Sequence, residues 1–143
     1  MKNLPLDGVT VLELGNSVAA PFAGEILGDL GADVIKVEKC DGDDARKWGP
    51  PFWQGTSAIF QSLNRNKRSV VVELRDRAEN AQLKAFIVDH VDVVLQNMRP
   101  SLVEELGLDG PTLRCSKPEL SDFINNIGGR RCRSMQAMDR ASA

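Results

Sequence analysis

Four cations lie close together in the middle of the chain: Arg65, Lys67, Arg68 and Arg75. Guanidinium and ammonium groups so placed could meet phosphate oxygens through charge-assisted hydrogen bonds. A solvated turn is the competing reading for any one of them, and the residues alone slightly favour it. Asp41, Asp43 and Asp44, in Lys39-Cys-Asp-Gly-Asp-Asp-Ala-Arg, suggest an oxygen-ligated cation. A calcium loop, however, requires a glycine at its sixth position and a terminal bidentate glutamate, and neither is in place. The segment reads as a polar loop. His90 is the sole histidine. It ends an expected helix, where it reads as a cap rather than a catalytic base, and no Ser-His-Asp arrangement is supported. Cys40, Cys115 and Cys132 match no zinc or CxxC spacing. They are expected to be three free thiols, with no metal site and no structural disulfide.

The elements that must position these groups are written in the hydrophobic pattern. The stretch from Ala19 to Glu38 organises the chain. Pro21 opens a helix at its first turn, and Phe22, Ile26, Leu27 and Leu30 recur at helical spacing to give one apolar face. Gly31 stops the helix. Val34, Ile35 and Val37 form a β-branched run ending in charge, and Leu6 to Leu14 is an earlier strand. Strand, helix, strand at this spacing is a βαβ unit with two parallel strands. The loop Gly15-Asn-Ser-Val-Ala-Ala falls at the carboxyl end of the first strand, where open α/β sheets bind ligands. The Gly-x-Gly-x-x-Gly fingerprint is absent from it, which argues against a standard dinucleotide site.

Further along, Trp48-Gly-Pro-Pro-Phe-Trp holds too many breakers for a helix. Its aromatics are expected to cap the core, with a pocket lining as the alternative. Ser57 to Leu63 predicts a short helix, Asn64 to Ser69 a turn, and Ser69 to Arg75 a third strand. Arg77 to His90 predicts an amphipathic helix with Ala81, Leu83, Phe86 and Ile87 apolar. Val91 to Gln96 is a fourth strand, and Pro100 and Gly107 bound another short helix.

A chain of 143 residues, 42% hydrophobic and 27% charged, suits one soluble domain with a substantial core. Its net charge of −2 gives no field favouring nucleic acid or anionic membrane. No apolar run approaches the roughly twenty residues of a membrane span, and the first residues lack a signal-peptide core. A cytoplasmic location is expected, with neither nucleic acid nor membrane as partner.

Leu6-Asp-Gly-Val-Thr-Val-Leu-Glu-Leu, Ala20-Pro-Phe-Ala-Gly, Leu27-Gly-Asp-Leu-Gly-Ala-Asp-Val-Ile-Lys-Val-Glu, Gly42-Asp-Asp-Ala-Arg, Leu63-Asn-Arg-Asn-Lys-Arg-Ser and Gln96-Asn-Met-Arg-Pro follow one another in this chain. In that order and spacing they resemble the class III CoA-transferases, which include formyl-CoA transferase, carnitine CoA-transferase and α-methylacyl-CoA racemase. The resemblance runs from about residue 6 to about residue 120, within one expected domain of residues 1–120. It implies an α/β fold: a Rossmann-like parallel sheet flanked by helices, here an incomplete large domain that binds coenzyme A or acyl-CoA as substrate, with no metal. It further implies transfer of CoA between an acyl-CoA and a carboxylic acid through an aspartate that is acylated in turn, and interlocked homodimers. A racemase branch moves an α-proton instead. By position, the residues expected to contact CoA are Val18 and Ala19 after the first strand, Lys39 after the second, Val72, Glu73, Leu74 and Arg75 at the end of the third, and Asn97, Met98 and Arg99 after the fourth. Lys39 stands where relatives usually carry arginine, keeping the charge without the bidentate fork. Glu105 replaces a base found in some members.

The resemblance stops at Leu120. The family continues with a strand of the type Leu-Ile-Tyr-x-Ser-Ile-Ser-Gly, and its catalytic aspartate falls, by register, past the last residue here. Asp139 is not in the matching motif, so no catalytic residue is assigned and the chain is expected to be inactive by itself. Residues 121–143 are a non-family tail. Read one nucleotide later, codons for Ser121 to Gly128 permit Leu-Ile-(Leu or Ser)-Ser-(Thr or Ile)-(Thr or Ile)-Ser-Gly, so a frame shift near codon 120 is the expected origin. A divergent end or a short paralogue is the alternative. The residues beyond Pro118 are expected to pack weakly or be disordered. Two other readings stay open: a non-catalytic CoA-binding or interaction module, and a plain α/β domain for a nucleotide-type ligand.

Overall fold

The computed structural model describes residues 4–124. β1 (Thr10–Glu13), α1 (Ala19–Asp29) and β2 (Asp33–Glu38) form the expected βαβ unit. A short hairpin of β3 (Phe52–Trp53) and β4 (Thr56–Ser57) leads into α2 (Ala58–Leu63), then β5 (Lys67–Val71), α3 (Arg77–His90) and β6 (Val93–Gln96). α4 (Pro100–Leu106), α5 (Gly110–Ser116) and β7 (Ser121–Ile124) complete the described chain. The main sheet is parallel throughout, in the order β5-β2-β1-β6-β7.

The sheet separates two apolar layers. On one face α3, α4 and α5 supply Leu83, Ile87, Val103, Leu106 and Leu113, packed with Leu12, Leu14, Val37 and Val94. The other layer is smaller and joins Val11, Val34 and Leu95 to Ala20 and Ala32. Helix ends obey local rules. Ser57 caps α2 by accepting from Phe60 N (3.0 Å), and Asp76 caps α3 by accepting from Ala78 and Glu79 N (2.9 Å each). Gly31 and Gly107 end α1 and α4 in the left-handed region, at φ 103° and 63°.

Several expectations change. The stripe Phe22, Ile26 and Leu30 of α1 does not face the sheet: these residues are 52%, 45% and 40% exposed. The inward stripe is Ala20, Gly24 and, partly buried, Ala23 and Leu27. Small residues won because the helix lies so close that a Cβ on Gly24 would collide with the Glu13 carboxylate. The aromatics Phe52 and Trp53 stand exposed on the hairpin instead of capping the core. β5 begins at Lys67 rather than Ser69, because Lys67 pairs in register with Val34. α5 carried too weak a signal, since Gly110-Pro111 reads as a breaker. Asp109 nevertheless caps it, accepting from Thr112 N at 3.0 Å.

The sheet also has a fifth strand where four were expected. β7 pairs with β6 from Val93↔Ser121 to Gln96↔Ile124. Leu120 is buried before it, and Asp122 is ion-paired to Arg114. Weak packing was expected here; residues 121–124 instead extend the sheet. The remainder of the 121–143 tail, with Cys132 and Asp139, lies outside the described residues.

Candidate functional site

α1 leaves the sheet on one face and α3 on the other, so the strand order reverses between β1 and β6. In such sheets the crevice outside the carboxyl ends of the strands is the binding position. All ten residues singled out by position lie at those ends. Five of them, Lys39, Val72, Glu73, Leu74 and Arg75, line one cleft of ≈ 240 Å³. Leu14, Val37 and Glu38 form its floor, and Leu102 and Leu106 of α4 its far wall. Those two leucines were not foreseen; nothing in the sequence tells which helix stands opposite a given strand end.

The cleft lip is braced. Glu73 N donates to Glu79 Oε2 at 2.7 Å, and Arg75 N to Glu73 Oε1 at 3.1 Å. Asn80 Nδ2 reaches back to Leu74 O at 2.9 Å. The Glu73 carboxylate is therefore engaged with its own turn, while the Arg75 guanidinium makes no ion pair among the described residues. Lys39, by contrast, holds Asp44 at 2.7 Å. That hydrogen bond raises the Lys39 ammonium above its ordinary value and lowers the Asp44 carboxyl below its own.

The other five residues sit beside the cleft rather than in it. Val18 and Ala19 begin α1, which no side chain caps. Asn97 ties the end of β6 to the first loop, accepting from Asn16 N (3.1 Å) and donating to Asn16 O (2.9 Å). Met98 is partly buried against the larger core, and Arg99 is exposed at the start of α4. Of the cation cluster, only Arg75 reaches the cleft. Arg65 pairs with Glu25 and Asp29, Arg68 pairs with Asp33, and Lys67 turns inward. His90, in the last turn of α3, sets its ring at 47° to that of Phe86, with the centroids 5.2 Å apart. Among the described residues, no group of three His, Cys, Asp or Glu side chains is placed to hold a metal ion.

Beneath the loop after β1 runs an ionic network that sequence reasoning missed. Lys36 Nζ contacts Glu13 Oε1 (2.8 Å), Asp43 Oδ2 (2.9 Å) and Gly15 O (2.9 Å). Lys67 Nζ contacts Glu13 Oε2 (2.7 Å) and Pro21 O (2.7 Å). Glu13, Lys36, Asp43 and the Lys67 side chain are all nearly inaccessible to water. Burial pulls the Lys67 ammonium below its usual value, and the Glu13 carboxylate opposes that only in part. Two carboxylates and two ammonium groups balance, which is what such burial requires. A signal existed: opposite charges interrupt two apolar runs, Glu13 at the end of β1 and Lys36 within β2, and they pair in register, Glu13↔Lys36.

Beside it Glu38 accepts from Arg46 Nε (2.7 Å) and Nη2 (2.6 Å), Ser69 Oγ (2.5 Å) and Asp43 N (2.8 Å). Burial by itself would push this carboxyl up. The Arg46, Ser69 and Asp43 hydrogen bonds and the Arg46 charge overcome it and hold the group at about 2.

The comparisons agree with this architecture. Residues 6–120 match the CoA-transferase family III. Over 117 residues the chain is 45% identical to the succinyl-CoA–D-citramalate CoA-transferase of Chloroflexus aurantiacus, covering 81% of this chain and 29% of that one. It is 42% identical to the succinate–glutarate CoA-transferase of Agrobacterium fabrum, covering 81% of this chain and 30% of the relative. Among solved structures, a CaiB/BaiF family protein of Brucella suis superposes with a TM-score of 0.80 at 39% identity, over 86% of this chain and 33% of that one. The Rv3272 protein of Mycobacterium tuberculosis gives 0.81 at 40% identity, over 90% and 35%. The chain therefore spans about a third of the length of the relatives it matches. By sequence and by fold it belongs to the CoA-transferase family III.

Proposed function

We propose that this chain is the coenzyme A-binding part of a class III CoA-transferase, taking CoA or acyl-CoA across the carboxyl ends of β1, β2, β5 and β6. The observation that carries the reading is the cleft. It gathers Lys39, Val72, Glu73, Leu74 and Arg75 from two separate strand ends beside the apolar side chains of Leu14, Val37, Leu102 and Leu106, with an Arg75 guanidinium that makes no ion pair among the described residues. A charged, apolar-walled cleft suits a phosphorylated nucleoside. Its volume of ≈ 240 Å³ accommodates a portion of CoA, the remainder lying over Val18, Ala19 and Asn97 to Arg99. The free thiols of Cys40 and Cys115, both exposed, suit a reducing compartment such as the cytoplasm. A frame shift as the origin of the residues after Leu120 is a proposal that the gene's nucleotide sequence tests.

Calorimetric titration of the purified chain with CoA tests the binding reading. Saturable binding is expected, and Arg75→Ala should weaken it about tenfold through loss of a charge-assisted contact. No heat from a folded sample would overturn it.

A second reading, an interaction module that pairs with a full-length relative, is favoured by the apolar stripe Phe22, Ile26 and Leu30 with Ile59 exposed on α2. Co-elution of the two chains as a stable complex would support it. Separate elution at micromolar concentration would count against it.

A further inference from the structure

The loop between β1 and α1 is not held by its own sequence. Ser17 takes φ 67°, a left-handed conformation that a non-glycine residue adopts only under constraint. The constraint comes from a distant residue. Ser17 N donates to both oxygens of Asp43, at 3.1 and 3.2 Å. Asp43 is buried and is itself fixed by Lys36 Nζ at 2.9 Å and, through its own N–H, by Glu38 at 2.8 Å. The same Lys36 ammonium binds Gly15 O at 2.9 Å, so one ion pair holds the turn at Gly15 and at Ser17, while Asn97 holds Asn16 between them. Val18 and Ala19 follow directly.

We propose that Asp43 is a positioning residue for coenzyme A: with Lys36 it locks the left-handed Ser17 turn and thereby sets Val18 and Ala19 for the ligand. This rests on the coenzyme A reading above. Asp43 does not line the cleft. It acts by keeping the loop in one arrangement before binding, so that little ligand affinity is lost to ordering. Asp43 also caps the short 3-10 turn Asp44–Lys47, accepting from Ala45 N at 2.8 Å. The two duties separate by substitution. Asparagine keeps a capping oxygen but removes the charge that holds Lys36, while alanine removes both.

The experiment uses the whole chain as wild type, Asp43→Asn and Asp43→Ala. Calorimetry with CoA is combined with amide hydrogen exchange at Ser17 and with thermal melting. The expected result is faster exchange at Ser17 in both variants. The CoA dissociation constant should rise about threefold in Asp43→Asn and about tenfold in Asp43→Ala, as the competent loop population falls. The asparagine variant decides the matter should the alanine variant not fold. Variants that melt as wild type, exchange faster at Ser17 and bind CoA equally well would overturn the inference while leaving the ligand reading intact. Wild-type protein that is folded and does not bind CoA overturns the ligand reading itself, and the positioning role with it.

Discussion

At the scale of single residues, charge in this chain is divided between groups that are engaged and groups that are free. Arg75 is unpaired among the described residues, whereas Lys39 is held by Asp44. A phosphate approaching Lys39 must displace that carboxylate. Asp44→Asn is therefore expected to tighten CoA binding about threefold, with the gain shrinking in high salt. Titration calorimetry at two ionic strengths checks it, and an unchanged or weaker affinity would exclude the competition. Glu38 makes a different prediction. Its folded value is about 2 against an ordinary 4.5, so the native state binds its proton less readily than the unfolded chain. Its contribution is complete above pH 4.5 and is lost as the pH falls towards about 2. Urea unfolding across that window should show stability falling with acid, and Glu38→Gln should flatten the slope. Identical slopes in the two proteins would assign the acid sensitivity elsewhere.

At the scale of elements, the approach of α1 to the sheet is the close contact on which the ionic network depends. Gly24 sits over the Glu13 carboxylate, and a Cβ there would also come within 3.2 Å of Lys67 Nζ. Gly24→Ala would ordinarily favour a helix. Here it should destabilise the fold by about 2 kcal/mol, since the helix must move off or the buried carboxylate must leave its ammonium partners. Denaturant unfolding measures this, and a stabilised variant would mean that the helix is not seated as described. The boundaries of α3 and α4 were legible beforehand because their caps are local: Asp76 before Arg77, Arg99-Pro100 at the start of α4, Gly107 at its end. The inward face of α1 was not legible. The chain offers two stripes, one large and apolar and one small, and local pattern ranks the large one first. Only the proximity of Glu13 and Lys67 selects the small one.

At the scale of the whole molecule, the two faces of the sheet are unequal. Three helices cover one layer, while the α1 layer is small and presents Phe22, Ile26 and Leu30 outward, with Val70 and Val71 exposed on the edge strand β5. An apolar stripe beside an open parallel edge favours association. The chain should self-associate with rising concentration, and Phe22→Lys with Ile26→Lys should return it towards a monomer without changing CoA affinity. Light scattering with a parallel titration checks both. A monodisperse wild-type sample at high concentration would show that the stripe is not a contact surface.

The sequence by itself determined the βαβ order, the parallel sheet, the family and the residues that fall at the carboxyl ends of the strands. All of these depend on local pattern or on short motifs whose residues are neighbours in the chain. The tertiary structure alone decided which of those positions share a cleft, that Leu102 and Leu106 line it, and that Lys39 is engaged while Arg75 has no ion-pair partner among the described residues. It alone showed that Asp43 holds Ser17 and that four buried charges balance beneath the loop. It also placed Ser121–Ile124 beside β6, at a point where the family pattern had ended. The physical reason is common to these cases. Ion pairing, close approach and burial are relations between elements far apart in the chain, and they take a definite value only once register and packing bring those elements together.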